Sequence, residues 1–374
     1  MFEPKFTYTS AIVNSLATIE RLYGSLTEQN LMPSLALKLS EENEVLATHH
    51  STSIEGNPLT AHDVTNIVLG DQIPTTKSEK EVKNYFKALN KIAVTAKRHQ
   101  PVSIDFTLEL HEQLMKSLVT HGLGKFRNGE VFVGHKRSLR SDELKLRLRS
   151  SSLDELGTAG LKTSSEFVVK HSPPFHTAKE IEKHLVDIYD WTNSNEEVHA
   201  ILRAGIFHHQ FAYIHPFFDG NGRLARLLTS YFLILKKYDV VKYFILDDYY
   251  DIDRQQYSDM LHSADRGDET KWLEYFLEGI AYSLQAALAR INKLKDSSVD
   301  EVTGEKRVLV SAREEEVIQI VLDKKAIKTS DVTDELEVTR QQAHSLLASL
   351  VKKDILEKFG KTKLSYYTLK KGKK

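Results

Sequence analysis

His215-Pro216-Phe217-Phe218-Asp219-Gly220-Asn221-Gly222-Arg223-Leu224-Ala225-Arg226 places a base, an acid, a glycine-flanked turn and two guanidiniums in one contiguous run. The nearly continuous apolar and aromatic stretch before it, Val198 to Ile214, suits a helix buried at the centre of a bundle. A loop that leaves such a helix and enters another at Arg223 aims the second helix's free N–H groups and positive dipole end at whatever lies over Gly220-Asn221-Gly222. Glycine at 220 and 222 lets backbone amides approach phosphate oxygens with no Cβ in the way. Arg223 and Arg226, three apart on one helical face, can hold successive phosphates with their planar forks. Asp219, the sole carboxylate of the run, suits a magnesium ion bridging phosphate oxygens. His215 supplies a neutral imidazole poised near pH 7 to take the proton of a hydroxyl that is otherwise a poor nucleophile. Burial of Phe217 would leave His215 facing the phosphate. The run predicts a polyphosphate site with a built-in proton acceptor. A zinc site built from His208, His209 and His215 is disfavoured, because no helical i, i+4 ligand pair with a carboxylate is present.

The 374 residues, 41% of them hydrophobic, allow two or three domains with buried cores. A net charge of -1 gives no global pull toward nucleic acid or membrane. The absence of cysteine excludes disulfides, thiolate catalysis and cysteine-bound zinc, and makes the cytoplasm the expected compartment. No secretory signal is evident at the N-terminus, and Leu227–Leu235 is too short to span a bilayer, so no membrane association is expected.

Helical spacing at Ile12, Leu16, Ile19 and Leu22, and again at Ile181, Leu185 and Ile188, predicts a mainly α bundle over the first 290 residues. Val131-Phe132-Val133 and Phe167-Val168-Val169 read as the two arms of a β-hairpin around a long insertion at about 138–166. Its Arg137, Arg140, Lys145, Arg147 and Arg149 make a solvated loop or a surface for an acidic target. Pro173-Pro174 closes the hairpin, and Thr177 with Glu180 predicts a capping box for the next helix. The expected organisation is an N-terminal helical region over 1–110, a catalytic core over 111–290, a polar linker over 291–312 and a small α+β domain over 313–374. In the last, helices at about 313–323, 329–336 and 339–353 precede strand-like pieces at 355–359 and 365–369, the order of a winged helix-turn-helix. Thr339-Arg340-Gln341-Gln342-Ala343-His344 would open a recognition helix in a locally basic segment, which makes DNA a candidate partner, with protein docking as the other use of the fold.

Ser51-Thr52-Ser53-Ile54-Glu55-Gly56-Asn57-Pro58 reads as a helix stop with Glu55 in the last turn. A carboxylate there faces the negative end of the helix dipole and needs a compensating cation.

Residues 215–226 match in full the motif His-x-Phe-x-(Asp/Glu)-Gly-Asn-Gly-Arg-x-x-Arg, and the chain resembles the Fic family over roughly residues 40–280. Gly124-Lys125-Phe126-Arg127 and Gly267-Asp268-x-x-x-Trp272 add to the likeness. The resemblance implies a Fic-type helical bundle with a β-hairpin flap, and transfer of AMP from ATP to a protein hydroxyl with pyrophosphate leaving. It implies His215 as general base, Asp219 as magnesium ligand, Gly220, Asn221 and Gly222 as phosphate cradle, and Arg223 and Arg226 on the outer phosphates. Glycine at 222 favours the AMP-transferring branch over the Doc-like branch. Val133, Gly134 and His135 would belong to a flap that takes the target segment as an added strand, and Tyr257 and Asp265 to the adenine pocket. The pattern around Ser51, Glu55 and Gly56 resembles the family's inhibitory helix, here about 41–56, with Glu55 pairing with Arg226 and obstructing ATP. Family members often form dimers, and self-modification is a further expectation. Two alternatives remain: removal of AMP from a modified protein, with Glu55 orienting water, and a nucleotide-sensing DNA-binding regulator without turnover.

Overall fold

The computed structural model describes residues 2–29, 33–70, 73–138, 165–239, 243–300, 312–336, 338–353, 355–360 and 365–370. Five helices come first: α1 (Ser10–Thr27), α2 (Pro33–Ile54), α3 (Ala61–Leu69), α4 (Lys77–Ala96) and α5 (Ile104–Met115). Thr60 with Asp63, and Thr76 with Glu79, form reciprocal capping boxes that start α3 and α4. Helix α2 begins at Pro33, a turn or more before the expected start near 41, because proline at a first helical position lacks only an N–H that would be unpaired anyway. Its end falls where expected. Gly56 has φ 89°, its N–H donates to Ser53 O at 2.8 Å, and the Asn57 N–H donates to Thr52 O at 3.1 Å, the two bonds of a Schellman stop.

Strands β1 (Val133–Ser138) and β2 (Ser165–His171) pair antiparallel. The first arm was expected from Val131, but the ladder begins at Val133, which pairs with His171. Beyond His171 the chain enters Pro173-Pro174, which carries no N–H to extend the ladder, so Val131 and the exposed Phe132 stay outside it. The basic insertion, with Arg140, Lys145, Arg147 and Arg149, lies outside the described residues.

Helices α6 (Ala178–Ser194), α7 (Ala200–Ile214) and α8 (Asn221–Leu235) follow, with Thr177 and Glu180 forming the expected capping box. Almost every residue of α7 from Ile201 to His209 is buried, as the apolar run required. It packs against α6 and α8, and α8 packs against α4 and α5. Then come α9 (Asp247–Ile252), α10 (Arg254–Ser263), a short 3-10 turn at Ala264–Arg266, and α11 (Thr270–Asp300). The α11 helix runs through the first part of the stretch read as linker, where neither glycine nor proline occurs between residue 291 and Gly304.

Trp272 is fully buried and its indole N–H donates to Gly205 O at 2.8 Å, so α7 and α11 approach closely at Gly205. A Cβ there would lie 2.8 Å from Leu273 Cδ2 and 2.9 Å from Phe276 Cδ1. Gly205→Ala is therefore expected to destabilise by about 1–2 kcal/mol, the overpacking cost exceeding alanine's helix-propensity gain of about 1 kcal/mol. A lower urea midpoint checks this, and an unchanged or raised midpoint refutes it.

By contacts the chain divides into two compact units, Met1–Thr27 with Glu42–Leu288, and Glu28–Glu41 with Ala289–Lys374. Within the second, α12 (Ala312–Lys324), α13 (Thr329–Leu336) and α14 (Arg340–Lys352) surround a core of Val317, Val321, Val332, Leu347 and Leu350. Strands β3 (Leu356–Phe359) and β4 (Tyr366–Leu369) form an antiparallel hairpin, and Ile327 bridges to Tyr367 at its side. Helix α14 buries Ala343, Leu347 and Leu350 and exposes Arg340, Gln341, His344 and Ser345. Among the described residues no helix is long and apolar enough to cross a membrane.

Candidate active site

The turn between α7 and α8 is built by its own side chains. Asn221 Oδ1 accepts from Phe217 N at 2.9 Å and its Nδ2 donates to Phe217 O at 2.8 Å, locking the loop. The Asn221 side chain thus closes the turn on itself. Phe217 is fully buried and stacks on His111 with ring centroids 3.7 Å apart. His111 Nδ1 accepts from Gly124 N at 3.0 Å, so Nε2 carries the proton that points to Asp219 O at 3.2 Å. Burial pushes this ring down to about 4, in keeping with a neutral imidazole.

Gly220 sits at φ 83° at the head of α8, where a Cβ would meet Met115 Sδ at 2.7 Å, and it gives α8 no side-chain cap. The positive end of α8 is therefore open to an anion. Arg223 and Arg226 project from one face as expected. Arg223 Nη2 lies 3.2 Å from Asp219 Oδ1 and Nη1 3.7 Å from Glu81 Oε1, while its Nε is buried with no hydrogen-bond partner. That orphaned donor fits a bound oxyanion. Asp219, with its side chain about half exposed, offers the hard oxygen ligand that magnesium takes.

His215 terminates α7 with φ 52°, a conformation that side chains rarely adopt and that marks stored strain at a functional turn. Buried Arg127 holds it there. Its Nε donates to His215 O at 2.7 Å, Nη2 to Ile214 O at 3.2 Å and Nη1 to Gly129 O at 2.6 Å, and its own N–H donates to Pro216 O at 2.9 Å. A guanidinium on the last carbonyls of a helix also meets the negative end of its dipole. The His215 ring keeps some exposed surface but lies deep among neighbouring atoms, and that burial pushes it down to about 4. The expectation of a base poised near pH 7 is corrected: desolvation makes the ring neutral well below neutrality.

Glu55, at the end of α2, meets Arg226, the partner that the family resemblance implied. Arg226 Nη2 donates to Glu55 Oε1 at 2.9 Å and to Ser51 O at 2.8 Å, and Nε donates to Ser51 Oγ at 2.8 Å. Burial raises the Glu55 carboxyl, but Arg226 and then Arg223 overcome it and hold it below its usual range. A Cβ on Gly222 would lie 2.2 Å from Glu55 Oε1, so the carboxylate rests directly over the first turn of α8.

Val133 and Gly134 stand at the start of β1 with a register shift between them, and His135 pairs with Val168. Tyr257 and Asp265 are both engaged within the protein. Tyr257 stacks on Tyr250 and its hydroxyl lies 2.8 Å from His208 Nε2. Asp265 Oδ1 serves His209 at 3.1 Å, and Oδ2 serves His171 at 2.8 Å and His262 at 3.1 Å. Burial lowers His209, but Asp265 and Glu269 raise it to about 9, so this cluster binds a charged imidazole rather than leaving a free carboxylate. His208 lies between Thr229 and Tyr257, and burial pushes it down to about 3. Arg127, His111 and Glu81 were not singled out from sequence for these contacts. Of the three, only Arg127 stood in a stretch already noted, Gly124-Lys125-Phe126-Arg127, for its likeness to the family.

An imidazole at the strained end of one helix, next in the chain to the uncapped, arginine-flanked start of another, is an arrangement suited to an anion. Residues 101–233 match the Fic/DOC family, and the chain carries a domain of that family. It is 27% identical over 285 residues to "Protein adenylyltransferase fic-1" of Caenorhabditis briggsae, an alignment covering 74% of this chain and 47% of the relative. It is also 27% identical over 247 residues to "Protein adenylyltransferase Fic" of Nematostella vectensis, covering 64% of this chain and 48% of the relative. The chain thus spans about half the length of these curated relatives. A Fic family protein from Desulfovibrio desulfuricans G20 shares the fold at TM-score 0.60 and 24% identity, covering 100% of both chains. Fic-1 (residues 134–508) of C. elegans does so at TM-score 0.56 and 24% identity, over 76% of this chain and 73% of that one.

Proposed function

We propose that this protein is an adenylyltransferase that moves AMP from ATP to a hydroxyl of a target protein, restrained by its own Glu55. The observation that carries the reading is a neutral His215 beside the uncapped, glycine-led start of α8 with Arg223 and Arg226 on one face. His215 takes the proton of the target hydroxyl; that oxygen bonds to the α-phosphorus of ATP, the bond from the α-phosphorus to the bridging oxygen breaks, and pyrophosphate leaves. Backbone N–H groups of the 220–222 turn and the two guanidiniums bind the polyphosphate. Asp219 would hold a magnesium ion, which supplies charge neutralisation of the phosphates. The β1–β2 hairpin offers an edge along which a target segment can lie. With Glu55 on Arg226, an outer phosphate loses its guanidinium and meets a like charge, so ATP does not settle for in-line attack.

Incubation with magnesium, cell lysate and ATP labelled at the α-phosphate tests this: label is expected on protein, and ATP labelled at the γ-phosphate is expected to give none. Protein labelling from the γ-phosphate, or no labelling even without Glu55, defeats it.

The His215 environment sets the pH dependence. Its folded-state value lies at about 4, lowered from 6.5, so the proton-accepting form is present above that value and is lost as pH falls through it. For Glu55→Gly protein, kcat/KM is expected to hold nearly level from pH 7 down past 6 and to fall only on approach to about 4. An acid limb centred near 6.5 would contradict this.

The exposed Arg340, Gln341 and His344 at the start of α14, beside the β3–β4 hairpin, support a second role for the smaller unit as a winged-helix DNA reader. Retention of the full chain on duplex DNA is expected to weaken steeply as salt rises, and Arg340→Ala to reduce it. Retention that is absent at low salt, or indifferent to salt, removes this role.

A further inference from the structure

We infer that His49, His50 and Asp251 form a binding site for one first-row transition-metal ion of the zinc class, separate from the phosphate-binding turn. His49 and His50 are consecutive in α2 and Asp251 lies in α9; one ring nitrogen of each imidazole and one carboxylate oxygen all lie within 4.8 Å of one another. Such ions bind imidazole nitrogen and carboxylate oxygen at about 2.0–2.2 Å, which puts tetrahedral ligands about 3.4 Å apart, within reach of this cluster.

The hydrogen bonding of the cluster suits an ion. His49 Nδ1 is buried with no hydrogen-bond partner, while the Leu59 backbone hydrogen-bonds the ring, the arrangement that orients a metal-binding imidazole. His50 Nδ1 lies 2.9 Å from Asp251 Oδ2, and the proton shared there is the one that an ion displaces. Arg254 Nε donates to the other oxygen, Asp251 Oδ1, at 2.7 Å and fixes the direction of Oδ2.

Two imidazoles and a carboxylate leave a fourth position for water, and their nitrogen content selects against magnesium and calcium. Among the described residues His171, His262 and Asp265 also converge, and the His262→Ala variant separates the two clusters. Because the ligands come from α2 and α9, a bound ion ties the helix that carries Ser51 and Glu55 to its neighbour.

The test uses the full chain, freed of metal by a chelator and titrated with Co2+, then Zn2+ in competition. The wild type is expected to bind one equivalent of Co2+ with visible d–d absorption, and to unfold at higher temperature with Zn2+. His49→Ala and Asp251→Asn are each expected to weaken binding at least about tenfold and to lose the Zn2+-dependent rise in Tm. Asp219→Asn and His262→Ala are expected to keep both. No Co2+ absorption in the wild type, wild-type binding in both cluster variants, or loss confined to Asp219→Asn or His262→Ala overturns the assignment. None of these readouts involves ATP, so they stand or fall apart from the proposed transferase activity.

Discussion

Glu55→Gly is expected to raise AMP transfer about 5–150-fold, the range of a coupling of about 1–3 kcal/mol between an inhibitory contact and a ligand site. In the resting protein every donor of Arg226 described above is engaged: Nη2 by Glu55 Oε1 and Ser51 O, Nε by Ser51 Oγ. Burial would lower this guanidinium, but the Glu55 carboxylate, with Tyr257 and Asp247 nearby, raises it, so its charge is permanent and its partners decide what it can bind. Removing Glu55 frees the Nη2 side and uncovers the first turn of α8, which the carboxylate overlies. The guanidinium is not stranded, because both Ser51 contacts remain and Asp247 Oδ2 stays 3.7 Å from Nε. Glycine at 55 also leaves the Schellman stop at Gly56 in place. Glu55→Gln separates charge from bulk: if repulsion of phosphate dominates, it activates nearly as well as glycine; if bulk dominates, it activates little. The measurement is the initial rate of labelling, of the protein itself and of lysate proteins, at matched enzyme concentration. A Glu55→Gly rate no higher than wild type would mean that the Arg226 pair is structural only.

How legible this site was in the sequence depends on how local each contact is. Contacts that close within a few residues could be read directly. The Thr177–Glu180 capping box, the Gly56 stop and the glycine-led start of α8 are all set by side-chain chemistry and positive φ at short spacing. The Glu55–Arg226 pair spans 171 residues and was still foreseeable, because a carboxylate at a helix C-terminus demands a cation and the Fic-like motif supplied one. Arg127 had no such local demand. Its three side-chain bonds go to backbone carbonyls up to 88 residues away, and a backbone acceptor leaves no trace in the residue type that carries it. The same holds for His111, whose partners are Gly124 N and Asp219 O. Helix α11 overran its expected end and β1 started late for a related reason: element limits follow from neighbours, here an uninterrupted helix-forming run and the prolines after β2.

His215→Ala is expected to lower AMP transfer about 10²–10⁴-fold, the usual contribution of a positioned general base, while leaving nucleotide affinity within a few-fold of the parent. The comparison belongs in the Glu55→Gly background, where the parent rate is high enough to measure such a fall. Affinity should survive because the groups read as phosphate ligands, the start of α8 with Arg223 and Arg226, do not depend on the imidazole; Arg127 grips position 215 through its carbonyl oxygen, which alanine retains. One cost remains. Alanine must keep the left-handed φ of 52° that histidine holds here, at about 1–2 kcal/mol of strain at most, and some loss of stability is expected beside the loss of rate. His215→Asn tolerates that backbone better and lacks a comparable base, so it isolates the proton transfer from the turn geometry. If both variants lose transfer alike while binding nucleotide, the ring acts on the proton. If asparagine restores transfer that alanine lacks, the residue's task is to hold the turn, and the base lies elsewhere.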